Sequence, residues 1–174
     1  MKEELKEIIK KYYIPAGAKV GSNFFLENTS SGHVSYRVNI NGKDVIVCFS
    51  KITEARPGNF VTLYKRVGSE IKPYYVTEGI DLVIVDCKYL NKEGNDLYHG
   101  QFFFSKDILG KKKIFASAEC IGKTAIRVFP VWVQTSTESA QKTQKWQSNY
   151  FVEFKLDDLP STIKSIATIF DKLI

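Results

Sequence analysis

Histidine is nearly missing from this chain, with His33 and His99 the only two in 174 residues. With no close cysteine pair beside them, they are too few for a histidine-based zinc centre. Both stand in loop-like contexts, where they make poor general bases. Cysteine is scarce too. Cys48, Cys87 and Cys120 are odd in number, widely spaced and set in apolar runs, which points to reduced core thiols and away from disulfides or metal ligands. No apolar run approaches the roughly 20 residues that a membrane span needs. The charged opening Met1-Lys-Glu-Glu-Leu-Lys6 lacks the apolar core of a signal peptide. A cytoplasmic location without membrane insertion is therefore expected. A Gly-rich phosphate loop is missing, which removes the ordinary nucleotide-hydrolase and Rossmann readings, and no Gly-x-Ser-x-Gly elbow offers acyl transfer. Internal repeats and low-complexity segments are missing as well.

What is present is a hydrophobic content of 44% with 13% aromatic residues, enough to exclude a disordered chain. A single domain over residues 1–174 with a sizeable core is expected. The net charge of +6 and the sequence pI near 9.1 favour nucleic acid, nucleotides or an anionic surface as partners. The lysine run 111–113 reads equally well as a solvated loop.

Local patterns give an α+β fold. Leu5, Ile8, Ile9 and Tyr12 recur at helical spacing, so an amphipathic helix is predicted from Met1 to Tyr13, ended by Ile14-Pro15. Phe24 to Leu26 reads as a short strand and Asn28 to Gly32 as a loop. Val34, Tyr36, Val38 and Ile40 alternate with polar residues, and Val45 to Phe49 follows after Asn41-Gly42, a pair that tolerates the positive φ angles of a two-residue hairpin turn. That register sets Val38 against Val45 and Tyr36 against Val47, with Arg37 on the other face. A third strand is expected over Phe60–Arg66 and a buried one over Ile80–Asp86. Asn91–Asn95 reads as a loop before a strand at Gln101–Phe104. One helical turn then follows at Ser105–Leu109, stopped by Gly110. Tyr150–Phe154 reads as a last strand. Asp158 caps a final helix with Ile163, Ile166, Phe170 and Leu173 on one face. The architecture is a mostly antiparallel, curved β-sheet with an N-terminal helix, a polar helix after an Ile126–Trp132 strand, and a C-terminal helix.

That strand and polar helix are the centre of the functional reading. Ala125, Ile126, Val128, Phe129 and Val131 form a β-branched and aromatic run carrying Arg127. Thr135 with Glu138 three residues on reads as a capping box. The helix behind it has no apolar stripe, with Ala140, Thr143 and Trp146 to pack it on the body. Gln141, Gln144, Lys145, Gln147 and Ser148 are left as donors and acceptors. Lys51 and Arg66 stand at strand ends, a common place for site residues, although snorkelling surface cations look the same in a sequence.

Several runs together resemble the MepB family of small bacterial proteins, one of which is encoded beside a multidrug efflux pump and its repressor. They are Ser50-Lys-Ile-Thr53, Gly58 to Arg66, Gly100 to Lys106, Ile126 to Trp132 and Ala140 to Gln147. The likeness covers roughly residues 42–154, and Ser105 and Val131 stand where the family pattern has prolines. It implies an α+β fold and a cytosolic location but brings no activity. The positions it marks are Lys51, Arg66, Lys106, Arg127, Gln141, Gln144 and Gln147, with Trp132 and Trp146. Cations neutralise phosphates, glutamines bond phosphate, sugar or base edges, and an exposed indole stacks on a base. Trp146 is expected to be a core anchor.

Nucleic-acid or nucleotide binding is the leading expectation, through a basic cleft of Lys51, Arg66, Lys106, Arg127, Trp132, Gln141, Gln144, Lys145 and Gln147, with no cofactor. One alternative is a Mg²⁺-dependent nuclease, since Asp86-Cys87-Lys88 matches half of an Asp-x-Lys motif and Glu54 or Glu78 could complete it. Another is an accessory protein of an efflux system that binds a small molecule or a protein partner.

Overall fold

The structure is a computed structural model and describes residues 1–28, 34–53, 55–90, 94, 96–155 and 157–173. The two expected loops at 28–32 and 91–95 fall largely outside these residues, as do His33 and Glu54.

The fold is α+β. Six strands form the main sheet: β1 (Val20–Asn28), β2 (Ser35–Ile40), β3 (Lys43–Phe49), β8 (Leu82–Leu90), β9 (Asp96–Ser105) and β11 (Phe151–Glu153), in that spatial order. All neighbours pair antiparallel except β3 with β8. The β2–β3 hairpin has the register that its sequence alternation dictates, Val38 on Val45 and Tyr36 on Val47. Its turn residues Asn41 and Gly42 stand at φ 53° and 80°. Arg37 leaves the apolar face and forks onto the Asp44 carboxylate.

Helix α1 (Lys2–Ile8) passes into a π-helical turn over Ile9–Tyr13 and packs with α4 (Leu159–Leu173) on one face of this sheet. Asp158 caps α4 by accepting the amide of Ser161 at 3.1 Å. Leu5, Tyr13, Ile84, Phe103, Ile166 and Phe170 fill that layer. On the opposite face lie a three-stranded sheet, in the order β10 (Ala125–Val128), β5 (Asn59–Thr62), β4 (Lys51–Ile52), and the helices α2 (Lys106–Lys111) and α3 (Glu138–Gln147). Ile46, Val61, Val85, Phe102, Phe104 and Val128 form the second core there.

Six local expectations are corrected. The Phe60–Arg66 strand is divided: the amide of Leu63 continues the β5–β10 register onto the carbonyl of Thr124, Leu63 and Tyr64 sink into the core, and β6 (Lys65–Val67) then pairs with β7 (Glu70–Lys72) in a separate two-stranded sheet. The buried strand begins at Leu82 and runs on to Leu90, and the first strand spans nine residues instead of three. The strand expected to reach Trp132 stops at Val128, because a turn closed by Val133 N–H on the Pro130 carbonyl follows. Thr137, not Thr135, caps α3, its hydroxyl accepting the amide of Ala140 at 3.2 Å. Gly110 lies inside α2, and the left-handed residue after that helix is Lys113 at φ 55°.

Candidate functional site

On β10, Ile126 and Val128 face the core, so the alternation turns Arg127 the other way. Its guanidinium meets the loop before β5. Nη2 donates to Thr53 Oγ1 at 2.9 Å, while Nη1 lies 3.2–3.4 Å from the carbonyls of Arg56, Pro57 and Gly58. The ring of Phe60 supports it at 5.8 Å. Gly58 stands at φ 85°, and a Cβ there would come within 2.7 Å of the Phe129 ring, so only glycine lets this loop lie against β10.

The polar face of α3 is turned to the same segment. Gln147, 1% exposed, donates to the carbonyl of Arg127 and accepts the amide of Phe129. Gln144 donates to the carbonyls of Pro130 and Val133 and accepts from Thr135. Gln141 donates to the carbonyl of Thr135 at 3.3 Å. All three amides are engaged in holding α3 on the 127–135 segment.

Two hollows flank Arg127. The first, about 430 Å³, lies between β10 and α3. Lys112, Lys123 and Arg127 contribute to its wall, with Thr137, Ser139 and Trp146, and no carboxylate is among its described lining residues. Lys112 Nζ sits 5.0 Å from the centre of the Trp146 ring. The hollow is therefore bordered by three cationic residues and runs along one face of α3 from its N-cap Thr137 to Gln147. Outside it, Glu138 is neutralised by Lys142 at 2.6 Å. The second hollow, about 460 Å³, is bounded by Thr53, Arg56, Pro57 and Gly58 on one side and by Tyr89, Tyr98 and Trp132 on the other.

Of the residues singled out in the sequence, Arg127, Trp146 and Gln147 line the first hollow and Trp132 the second. Lys51, Arg66, Lys106, Gln141, Gln144 and Lys145 line neither. Lys51 is exposed on β4, Arg66 lies over the Tyr64 ring at 5.9 Å, Lys106 is half-buried at the start of α2, and Lys145 is exposed on α3. Trp146 packs against the second core, as a core anchor should. Lys112, Lys123, Arg56, Tyr89 and Tyr98 were not singled out. The lysine run at 111–113 was the one visible signal among them.

Asp86 lies 3% exposed in the helix-covered layer, where its Oδ1 meets His99 Nε2 at 2.8 Å and Gln101 Nε2 at 2.7 Å. His99 thus stands inside β9, paired with Lys88 across the sheet, and not in the loop expected for it. Tyr13 closes the chain by donating to Gln101 Oε1 at 2.6 Å. Burial and the nearby Asp86 charge hold the Tyr13 phenol well above its ordinary value. Lys88 pairs with Glu4 at 2.9 Å, and Glu78 pairs with Lys65. The Asp-x-Lys positions therefore face the core and the N-terminal helix. Among the described residues no three His, Cys, Asp or Glu side chains converge as a metal site.

The profile of the MepB-like family matches residues 27–153. The fold is similar to the crystal structure of MepB with a TM-score of 0.69 and 25% sequence identity, covering 87% of this chain and 95% of that one. No curated protein matches the sequence.

Proposed function

We propose that this chain, which belongs to the MepB-like family, binds nucleic acid or a nucleotide through its phosphates, in the cationic hollow between β10 and α3. The observation that carries the reading is the convergence of Lys112, Lys123 and Arg127 on one concave surface along α3, with no carboxylate among the described lining residues. Each element has a separate part. Lys112 and Lys123 come from the end of α2 and the approach to β10, and supply exposed charge. Arg127 is pinned by the 53–58 loop, so its charge is fixed in place. The three glutamines fix the wall and leave the cations to meet the ligand. Phosphate neutralisation of this kind gives affinity with little sequence preference and a steep dependence on salt.

Fluorescence polarisation of labelled oligonucleotides across a salt series tests it. Replacing Lys112 and Lys123 together by glutamine should weaken binding by about tenfold or more. It should also lower the log–log salt slope by roughly 0.7 to 0.9 for each phosphate that is no longer neutralised. Lys164→Gln on α4, across the sheet, serves as the control and should change nothing. Affinity that ignores salt, or that survives the double substitution, removes this reading.

A further inference from the structure

We infer that the second hollow receives an unpaired nucleobase, so that the ligand is a single strand or a free nucleotide and not an intact duplex. This rests on the phosphate reading of the neighbouring hollow and names the class of ligand that the two hollows together would take.

The wall is a row of rings. Tyr98 and Trp132 are nearly parallel, 15° apart in plane with centres 5.4 Å apart, Tyr89 is tilted onto Tyr98 at 6.2 Å, and Phe151 supports Trp132 edge-on at 5.4 Å. The row is anchored from behind by Gly100, where a Cβ would come within 2.4 Å of the Phe151 ring. Glycine there lets Phe151 cross the strand and meet the indole. The front of the row is open, with Tyr89 45% and Tyr98 42% exposed. The two tyrosines, with the indole stacked behind Tyr98, leave aromatic surface beside water on which a flat base can stack, because every base has a π-face. The hollow's volume is within the range of small-ligand pockets. Arg56, Thr53 and Gln134 stand around it as groups able to bond a base edge.

Arg127 joins the two hollows. It lines the cationic one, while its guanidinium is bonded to Thr53, Arg56, Pro57 and Gly58 of the aromatic one. The wall that would meet a phosphate and the loop that borders the aromatic row are thus tied together by one side chain, an arrangement suited to parts of the same or adjacent nucleotides. A base inside a duplex has both faces covered by its neighbours and its edge paired, so it reaches such a wall only by being flipped out at a cost. A strand or nucleotide with its base already free meets no such barrier.

The test compares, at one low salt concentration, a short labelled single strand, an abasic strand of the same length and charge, and the matching duplex. The single strand should bind more tightly than the abasic strand by on the order of tenfold. Tyr98→Ala should remove that advantage without changing abasic affinity, Tyr89→Ala should reduce it, and Tyr98→Phe should keep it. Displacement of the single strand by adenosine monophosphate but not by ribose 5-phosphate assigns the base to a free nucleotide, and displacement by strands alone assigns it to a strand. Equal affinity for base-bearing and abasic strands, or tighter binding of the duplex, overturns the base site while the phosphate reading stands. Salt-sensitive binding of no probe at all overturns both.

Discussion

Gln147 closes the open edge of β10 as a neighbouring strand would: its Nε2 donates to the carbonyl of Arg127 at 3.0 Å and its Oε1 accepts the amide of Phe129 at 2.9 Å. Residues two apart on a strand point these groups to the same side. One side chain amide can therefore replace a strand where Pro130 ends the chain's own capacity for pairing. The helix that carries Gln147 and the strand that carries Arg127 are locked together by these two bonds.

Gln147→Ala should accordingly lower stability by about 2–6 kcal/mol, since each of the two backbone groups left without a partner costs about 1–3 kcal/mol. Urea unfolding reads the change as a lower midpoint. Gln147→Glu keeps an acceptor for Phe129 but turns a carboxylate oxygen toward the carbonyl of Arg127, and should be at least as damaging near neutral pH. An unchanged midpoint in Gln147→Ala would mean that water replaces the amide and that the edge is not sealed.

Gly100→Ala should destabilise the fold by at least about 1–3 kcal/mol, the usual cost of overpacking. The added methyl would meet Phe151 Cζ at 2.4 Å and the carbonyl of Val152 at 2.6 Å, and the backbone carbonyl cannot swing aside. Because Phe151 supports Trp132, the variant should also shift indole fluorescence to the red as the ring loosens. Wild-type thermal unfolding with unchanged emission would show that β11 yields without cost.

The contrast between these two positions shows what was legible in the sequence. The β2–β3 hairpin could be read to the residue, because Asn41-Gly42 and the alternation around it are local properties. The C-terminal helix was equally plain from Asp158 and its apolar stripe. The division of the 60–66 strand was not, because it depends on β6 leaving the β5–β10 ladder to pair with β7 while Leu63 and Tyr64 sink into a core built from distant elements. The three-residue spacing of Gln141, Gln144 and Gln147 correctly put them on one face of α3. Nothing in that spacing says whether the face meets a ligand or the protein's own backbone, and in the structure it meets the backbone. Lys112 and Lys123 come together only through the path from α2 to β10, so their shared hollow has no local signature. Tyr89 and Tyr98 are a cross-strand pair whose partnership needed the β8–β9 register.

The three cysteines should differ sharply in reactivity. Burial, then Glu27, pushes the Cys48 thiol up to about 12, and burial likewise raises Cys87 against the opposing hydrogen bond from Ser50. Cys120 is half-buried and its thiol is lowered, chiefly by the hydroxyl of Ser117 and then by backbone bonds and Lys113. A disulfide reagent should modify Cys120 alone in the folded protein and the other two only on unfolding. Ser117→Ala should move the pH midpoint of the Cys120 reaction upward. Three equally fast thiols in native buffer would contradict the burial of Cys48 and Cys87.

The same burial sets an alkaline limit on stability. Tyr13 and Tyr74, like Cys48 and Cys87, have their ionisation raised mainly by burial, assisted by Asp86 for Tyr13 and by Glu27 for Tyr74. In the unfolded chain thiols lose their protons near about pH 8.5 and phenols near about 10, while the native state still holds them. The unfolded state then binds fewer protons, so stability falls as pH rises, by about 1.4 kcal/mol per pH unit for each such group. Their contribution is intact below the unfolded values and is lost progressively above them, toward the raised native values. Urea midpoints measured from neutral pH upward should therefore decline from about pH 8.5 and more steeply above about pH 10. Tyr13→Phe separates two effects of the buried chain. At neutral pH it should cost about 1–3 kcal/mol, because Gln101 Oε1 loses its donor. Above about pH 10 it should flatten the decline, because the phenol that resists ionisation is gone. A Tyr13→Phe curve parallel to wild type over the whole alkaline range would place the titrating groups elsewhere and leave Tyr13 with a packing role only.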